Sequence, residues 1–172
     1  MEKQLLTGKT MADNTATNIL ICGIGGQGIL KASEIIGVAA MQAGFHVKKS
    51  EVHGMAQRGG SVESHVRFGR SVASPLIEPG GADFLLCFDE EEGERYRYYL
   101  KPAGVDLRPY LARAAGDIPD PRFLNTYLTA VLSLYLDIDE SVWLAALRSV
   151  ISRKVEENEN VFRNARQRGK AP

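Results

Sequence analysis

The segment NILICGIGGQGIL, residues 18–30, decides the fold of this chain. Its first five residues are almost continuously apolar, which is typical of a parallel strand buried on both faces. Gly23, Gly25 and Gly28 then interrupt the run, and from Ile29 apolar residues recur at the spacing of one helical face. The segment therefore predicts a strand, a tight turn and a helix, the unit from which α/β sheets are built.

Patterning downstream of this unit predicts one domain in which helices cover a sheet. Residues 62–68 alternate between apolar and polar side chains, which predicts a strand with one packed and one wet face. On that pattern His65 is a surface or edge residue. Further strands are expected over 45–52 and 82–88, and helices over 90–100, 124–135 and 142–151. We therefore expect a three-layer α/β/α, Rossmann-like domain with a mixed, mainly parallel sheet.

Two polar segments flank the predicted domain, which occupies residues 18–152. Residues 1–17 lack periodicity and are expected to form a disordered N-terminal tail. Residues 153–172 are highly charged and offer few apolar positions. They are expected to form a terminal helix or tail that is either solvated or docked on another surface.

Charge and cysteine content exclude several classes of partner. The 172 residues carry 21 basic and 21 acidic side chains, so no electrostatic footprint indicates nucleic acid or an anionic membrane. No apolar run approaches the roughly 18 residues of a spanning helix, and no signal peptide is recognisable, so a cytoplasmic protein is expected. Cys22 and Cys87 stand alone in apolar runs, whereas an iron–sulfur cluster needs about four clustered thiolates. We expect both cysteines to be buried structural residues and predict no metal site.

A second motif, HGMAQRGGSV, occupies residues 53–62. It places the basic side chain of Arg58 beside two glycines at the entrance to a predicted strand. Such a loop suits a backbone that turns tightly and comes close to a phosphate, a carboxylate or another subunit.

The glycines of the first motif have the Gly-x-Gly-x-x-Gly spacing of dinucleotide-binding turns. Unpaired N–H groups at the start of a helix favour an anion there, and Glu51 lies near the position expected of a ribose-binding acid. The pattern is short, however, and Lys48, Lys49 and His53 flank that acid. Three interpretations stay open: a dinucleotide site, a site for another phosphate-bearing ligand, and a purely structural turn.

The two motifs together resemble a known family. The stretches GIGGQGIL, SEVHGMAQRGGSVESHVRFG and SPLI are similar to the gamma-type subunit of the 2-oxoacid:ferredoxin oxidoreductases. Within that family the chain most resembles the small subunit of the indolepyruvate type. The similarity spans residues 18–89 and continues more weakly over 123–150. After Leu100 the chain departs from the family pattern, because only residues 105–107 are apolar enough to supply a further expected strand.

The resemblance implies a function that this chain performs only with partners. In this family thiamine diphosphate with Mg²⁺ decarboxylates a 2-oxoacid, iron–sulfur clusters pass electrons to ferredoxin, and coenzyme A accepts the acyl group. The resemblance assigns thiamine diphosphate, Mg²⁺ and the clusters to a large partner subunit. This chain is then expected to hold no cofactor alone and to be inactive in isolation, with coenzyme A as a co-substrate of the complex. The alternative is a non-catalytic dinucleotide-binding or assembly module.

Carried over residue by residue, the resemblance implies that the glycine turn and the Arg58 loop lie together at the ligand-facing end of the sheet. Arg58 would bind phosphate or carboxylate, or form a salt bridge with the large subunit. His53 and Met55 are expected at the same interface, and no catalytic residue is assigned. The residues expected to face coenzyme A phosphates or the partner are Gly23, Gly25, Gly26, Gln27, Gly28, Gln57, Arg58, Gly59 and Gly60.

Overall fold

The computed structural model describes residues 15–53 and 59–170. Within them a five-stranded sheet has the order β2-β3-β1-β4-β5. Pairing is parallel for β1 with β4 and for β4 with β5, and antiparallel for β3 with both of its neighbours. Every strand of this sheet except β3 therefore runs in the same direction, which confirms the mixed, mainly parallel sheet. The strands are β1 (Thr17–Ile24), β2 (His46–His53), β3 (Ser61–Gly69), β4 (Ala82–Cys87) and β5 (Leu100–Asp106).

Helices lie on both faces of this sheet, as the three-layer prediction requires. Two short 3₁₀ turns, at Arg97–Tyr99 and Pro121–Phe123, precede β5 and the fourth helix. No helix among the described residues combines the length and the apolar character needed to cross a lipid bilayer. The helices are α1 (Ile29–Gln42), α2 (Glu90–Tyr96), α3 (Pro109–Asp117), α4 (Leu124–Ser133), α5 (Glu140–Val150) and α6 (Val155–Arg168).

Strand β1 holds the two faces together because it is central and apolar on both sides. Ile19 and Ile21 are fully buried in the larger core, beneath α1, α4 and α5. Leu20 and Cys22 are fully buried on the opposite face. The continuous apolar run thus marks a strand covered on both faces, as expected.

The smaller layer consists of α2, the 3₁₀ turn at Arg97–Tyr99 and the loop that carries Ile77. The helix expected over 90–100 ends earlier, at Tyr96, and β5 begins already at Leu100. The expectation that only residues 105–107 could supply a further strand was therefore wrong. An edge strand tolerates weak strand formers such as Pro102 and Gly104, because one side of its backbone needs no ladder partner.

Cys22 and Cys87, isolated in the sequence, meet in the fold because β1 and β4 are parallel neighbours in register. Their Sγ atoms lie 3.4 Å apart, and both thiols are free and fully buried. The hydrogen bond from Cys22, with burial, raises the pKa of the Cys87 thiol far above its usual range. Both cysteines are small buried groups of the core, as expected.

Helix α6 packs against α4 and α5 of its own domain. Val161, Phe162 and Ala165 form its buried stripe, and the Phe162 ring lies 6.2 Å from the ring of Trp143 on α5. Phe162 is fully buried. The few apolar positions of this charged segment are therefore sufficient to dock it on the domain core.

Phe162→Ala should lower the free energy of unfolding by about 3–5 kcal/mol, because it removes a fully buried aromatic side chain and leaves a cavity. Asn164→Ala, at an exposed position of the same helix, should change it by less than about 0.5 kcal/mol. Urea denaturation of both variants measures the difference. Equal, small effects would mean that α6 is not part of the cooperative core.

Candidate functional site

The glycine turn joins β1 to α1 through two left-handed residues. Gly26 has φ 98° and Gly28 has φ 91°, values that are strained for any residue with a side chain. An added Cβ at Gly28 would also lie 3.1 Å from the Asn125 side chain, whereas one at Gly26 would meet nothing within 4 Å. Gly26 therefore satisfies a backbone requirement and borders open space.

Gln27 locks this turn onto the neighbouring strand. The N–H of Ile24 donates to Gln27 Oε1 at 2.7 Å, and Gln27 Nε2 donates to the Phe88 carbonyl at 3.2 Å. A Cβ at Gly23 would lie 2.6 Å from Gln27 Oε1, so the carboxamide occupies the space that a side chain there would need. Gln27, predicted as a ligand-facing residue, thus has at least a structural role, joining the ends of β1 and β4.

The glycine turn also meets the Arg-Gly-Gly segment. The N–H of Gly25 donates to the carbonyl of Gly60 at 2.9 Å, and Gly59 has φ 74°. The structure therefore brings Gly23–Gly28 and Gly59–Gly60 to one edge of the sheet. Gln57, Arg58 and Met55, together with the side chain of His53, lie outside the described residues.

This edge is the carboxyl end of β1 and β4, where the chain leaves toward opposite faces. Helix α1 follows β1 into the larger layer, and α2 follows β4 into the smaller layer. Adjacent parallel strands whose connections diverge leave a crevice between them, and α/β proteins commonly bind ligands in such crevices. The glycine turn lies at that crevice.

The two helix starts at the crevice differ in charge. The first turn of α1 has no acidic residue and its start has no side-chain cap, so its N–H groups remain available to an anion. The start of α2 is capped by Asp89, which accepts from the Glu92 N–H, and its first turn holds Glu90, Glu91 and Glu92. An anionic ligand is therefore favoured on the α1 side only.

A polar cluster that sequence patterning missed supports the start of β3. Ser61, opposite Ile24 in the ladder, donates to Glu92 Oε2 at 2.5 Å and lies 3.1 Å from the Tyr96 hydroxyl. Burial raises the pKa of Tyr96, the hydrogen bond between Tyr96 and Ser61 opposes that rise, and the nearby Glu63 carboxylate adds to it. These contacts fix the strand end next to Gly60.

The expectation that His65 is a surface or edge residue was wrong. Strand β3 lies between β1 and β2. The face of this strand on which His65 lies is covered by Tyr99 and the loop at Ile77. His65 is 2% exposed, its Nδ1 accepts the Ile77 N–H at 3.0 Å, and its Nε2 lies 3.3 Å from Glu63 Oε1. Since Nδ1 accepts, the ring proton sits on Nε2 and points toward Glu63.

The described part of the chain contains no cluster of side chains that could hold a metal ion. Within residues 15–53 and 59–170, no three or more His, Cys, Asp or Glu side chains are arranged to hold a metal ion. At the crevice, the described residues offer backbone N–H donors, the dipole of α1 and a hydrogen-bonded carboxylate at Glu92.

Gln27→Leu should lower the free energy of unfolding by about 1–3 kcal/mol, because the Ile24 N–H and the Phe88 carbonyl lose their partner. Gln42→Leu, an exposed position at the other end of α1, is the matched control and should be nearly neutral. Thermal and urea unfolding compare the two. Equal stability of both variants would contradict the structural role of Gln27.

Comparison with known sequences finds a matching family model and several relatives. The family model described as "Pyruvate ferredoxin/flavodoxin oxidoreductase" matches residues 18–107. An indolepyruvate oxidoreductase subunit IorB of Archaeoglobus fulgidus is 39% identical over 141 residues, which cover 82% of this chain and 64% of the relative. The IorB of Thermococcus kodakarensis is 50% identical over 88 residues, 51% of this chain and 44% of the relative. The chain thus spans less than half the length of that second relative.

Solved structures share the fold. The gamma subunit of a keto/oxoacid ferredoxin oxidoreductase from Geobacter sulfurreducens superposes with a TM-score of 0.73 at 22% identity, covering 91% of this chain and 99% of that one. A 2-oxoglutarate:ferredoxin oxidoreductase from Magnetococcus marinus, solved with 2-oxoglutarate, coenzyme A and succinyl-CoA bound, gives 0.72 at 20% identity. It covers 93% of this chain, which matches 32% of that longer one. Because the matching family model covers more than half of its residues, the chain belongs to the pyruvate ferredoxin/flavodoxin oxidoreductase family.

Proposed function

We propose that this chain is the small, gamma-type subunit of a cytoplasmic 2-oxoacid:ferredoxin oxidoreductase of the indolepyruvate type. The observation that carries the proposal is the 39% identity to an indolepyruvate oxidoreductase subunit over 82% of the chain. In the complex a 2-oxoacid is oxidatively decarboxylated to an acyl-coenzyme A, and the electrons pass to ferredoxin. Thiamine diphosphate with Mg²⁺ and the iron–sulfur clusters belong to the large partner subunit, where they supply the decarboxylation and electron-transfer chemistry.

The role of this chain in that reaction is to present the carboxyl edge of its sheet to the partner and to coenzyme A. The uncapped start of α1 and the open space at Gly26 suit a phosphate group. Asp89 and the acidic first turn of α2 repel an anion from the other side of the crevice. We assign to Arg58, two residues before Gly60, a bidentate contact with phosphate or with a carboxylate of the large subunit.

The alternative of a dinucleotide-binding module is disfavoured by the sheet order. In a dinucleotide-binding fold the strand that carries the ribose-binding acid lies beside the first strand. Here β3 separates β2 from β1, so Glu51 stands about two strand spacings, roughly 10 Å, from β1. Glu51 lies opposite Ser64, which lies opposite Ile21, so Glu51 is level with the middle of β1 and not with the glycine turn. Its Oε1 lies 3.8 Å from Lys49 Nζ.

The purified chain should be colourless and inactive alone, and should restore viologen reduction with indolepyruvate and coenzyme A when mixed with its large subunit. The expectation follows from the absence of a cysteine cluster in the sequence. Visible spectra and viologen assays of each subunit and of the mixture test it. Iron–sulfur absorbance in this chain alone, or full activity of the large subunit alone, would contradict the assignment.

Gly26→Val should raise the KM for coenzyme A in the reconstituted enzyme by about tenfold or more, because a branched side chain would enter the space left to the phosphate. The half-reaction that decarboxylates the 2-oxoacid should persist. Gly80→Val is the matched control, since Gly80 has φ 76° and open space but precedes β4, at the opposite edge of the sheet. An unchanged KM in Gly26→Val, or an equal rise in both variants, would refute the role of the turn.

A further inference from the structure

Strand β2 is the outermost strand on one side of the sheet, and among the residues that the structure describes no strand pairs with its outer side, which we call the β2 edge. Its inner side pairs with β3 over eight consecutive positions, from His46 opposite Gly69 to His53 opposite Val62, without a bulge. In such a ladder every second residue directs its N–H and C=O groups away from the neighbouring strand. A long, regular edge strand of this kind is a template for pairing with a further strand.

The outermost strand on the other side of the sheet carries features that prevent such pairing, whereas β2 does not. Strand β5 contains Pro102 and Gly104, and its ladder with β4 shifts register between Ala82 and Phe84. Proline and bulges are among the devices that protect edge strands from further pairing. Residues 46–53 contain neither proline nor glycine. The two outer strands of this sheet therefore differ in their capacity to accept a partner.

Lysine side chains that project from an edge strand also protect it, but the two lysines of β2 fold back onto their own domain. Lys48 Nζ donates to the Ala73 carbonyl at 2.9 Å. Lys49 Nζ lies 3.5 Å from Ser33 Oγ, and a Cβ at Gly37 would lie 3.2 Å from Lys49 Cδ, so the lysine stem runs against α1. Neither lysine therefore blocks the approach of another strand to the β2 edge.

The side chains of β2 divide between the two faces of the sheet. Lys49 and Glu51 lie on the face that α1 covers, with 3.8 Å between Lys49 Nζ and Glu51 Oε1, and their side chains are 30% and 33% exposed. Ser50 and Val52 lie on the other face, and Val52 is 45% exposed. The strand thus presents a cation beside an anion on one face and an exposed apolar side chain on the other.

A second copy of this chain is an occupant that the β2 edge can accept by symmetry. Two identical strands pair antiparallel about a two-fold axis normal to the sheet, and residues directly opposite each other then share a face. The axis consequently falls at a residue of the strand and not between two residues. An axis at Lys49 would place two ammonium groups opposite each other, and an axis at Glu51 would do the same with two carboxylates. An axis at Ser50 avoids both.

With the axis at Ser50, groups of opposite charge meet across the two strands. Lys49 then lies opposite Glu51 of the second copy, and the same pair recurs on the other side of the axis, so four charges alternate in sign around a square. On the other face Val52 lies opposite Lys48 of the second copy, whose aliphatic stem covers it. Among the three central positions, only Ser50 makes the strand complementary to itself.

We propose that β2 pairs antiparallel with β2 of a second copy of this chain, centred on Ser50, and joins the two five-stranded sheets into one. The pairing uses the β2 edge and does not depend on the reaction assigned above. Because the two copies run in opposite directions, their glycine turns lie at opposite ends of the joined sheet. Each turn therefore remains available to its own large subunit, which fits an assembly with one large subunit for each small one.

Sedimentation velocity of the full chain, from micromolar to near-millimolar concentration, tests the proposal. One pair of strands buries less than the roughly 1,200 Å² at the lower limit of standard interfaces, so we expect a concentration-dependent equilibrium between monomer and dimer. Backbone amides within residues 46–53 should exchange with deuterium more slowly at high than at low concentration, because the second copy accepts hydrogen bonds from them.

Charge reversal tests the register. Lys49→Glu and Glu51→Lys should each weaken dimerisation about tenfold or more, because like charges then surround the axis. An equimolar mixture of the two variants should form mixed dimers, because both cross-strand pairs are again of opposite sign. The contact between Lys49 and Glu51 within one chain is lost in both variants, so it cannot produce this recovery. Arg153→Glu reverses an exposed charge between α5 and α6 and should leave dimerisation unchanged.

Three results would overturn the proposal. The first is a full chain that stays monomeric at every concentration, with residues 46–53 protected from exchange only by the large subunit or not at all. The second is wild-type dimerisation in both charge-reversal variants, or a mixture that dimerises no better than each variant alone. The third is an equal loss in Arg153→Glu, which would mean that net charge alone controls the association.

Discussion

The Gln27 carboxamide is the contact on which the arrangement of this domain depends. It accepts the N–H of Ile24 and donates to the carbonyl of Phe88, so it joins the ends of two parallel strands that diverge beyond that point. The same carboxamide fills the space above Gly23. With the turn held in this way, α1 begins at a defined place, and its uncapped N–H groups face the crevice.

An antiparallel strand, β3, lies beside β1 and contributes its first residues to the end of the sheet where the glycine turn lies. Because β3 runs against β1, its first residues stand next to the end of β1, and Gly25 can donate to Gly60. The hydrogen bond from Ser61 to Glu92 then ties the start of β3 to α2. Strand β2 is therefore the outermost strand of the sheet. In a dinucleotide-binding fold the strand that carries the ribose-binding acid lies beside the first strand, and here β2 does not. Strand order, more than the glycine spacing, therefore distinguishes the candidate functions.

Local patterns predicted the strand–turn–helix unit and helices α4 and α5, because burial on one or both faces leaves a period in the sequence. His65 was misplaced because alternation shows only that side chains change face. It does not show that Tyr99 and the Ile77 loop, from later in the chain, cover the face on which His65 lies. The polar cluster at the start of β3 left no signal either. Ser61 on β3 meets Glu92 and Tyr96 on α2 only when α2 packs beside β3, which short-range periodicity cannot express.

Hydrogen–deuterium exchange, on the chain alone and with its large subunit, tests most directly whether the carboxyl edge of the sheet contacts that subunit. The account predicts that protection on complex formation concentrates in residues 23–30 and 59–65, while residues 140–150 of α5 stay unchanged. Protection confined to the opposite edge, over residues 69–82 and 100–104, would contradict it. That result would leave the glycine turn as a purely structural element of the domain.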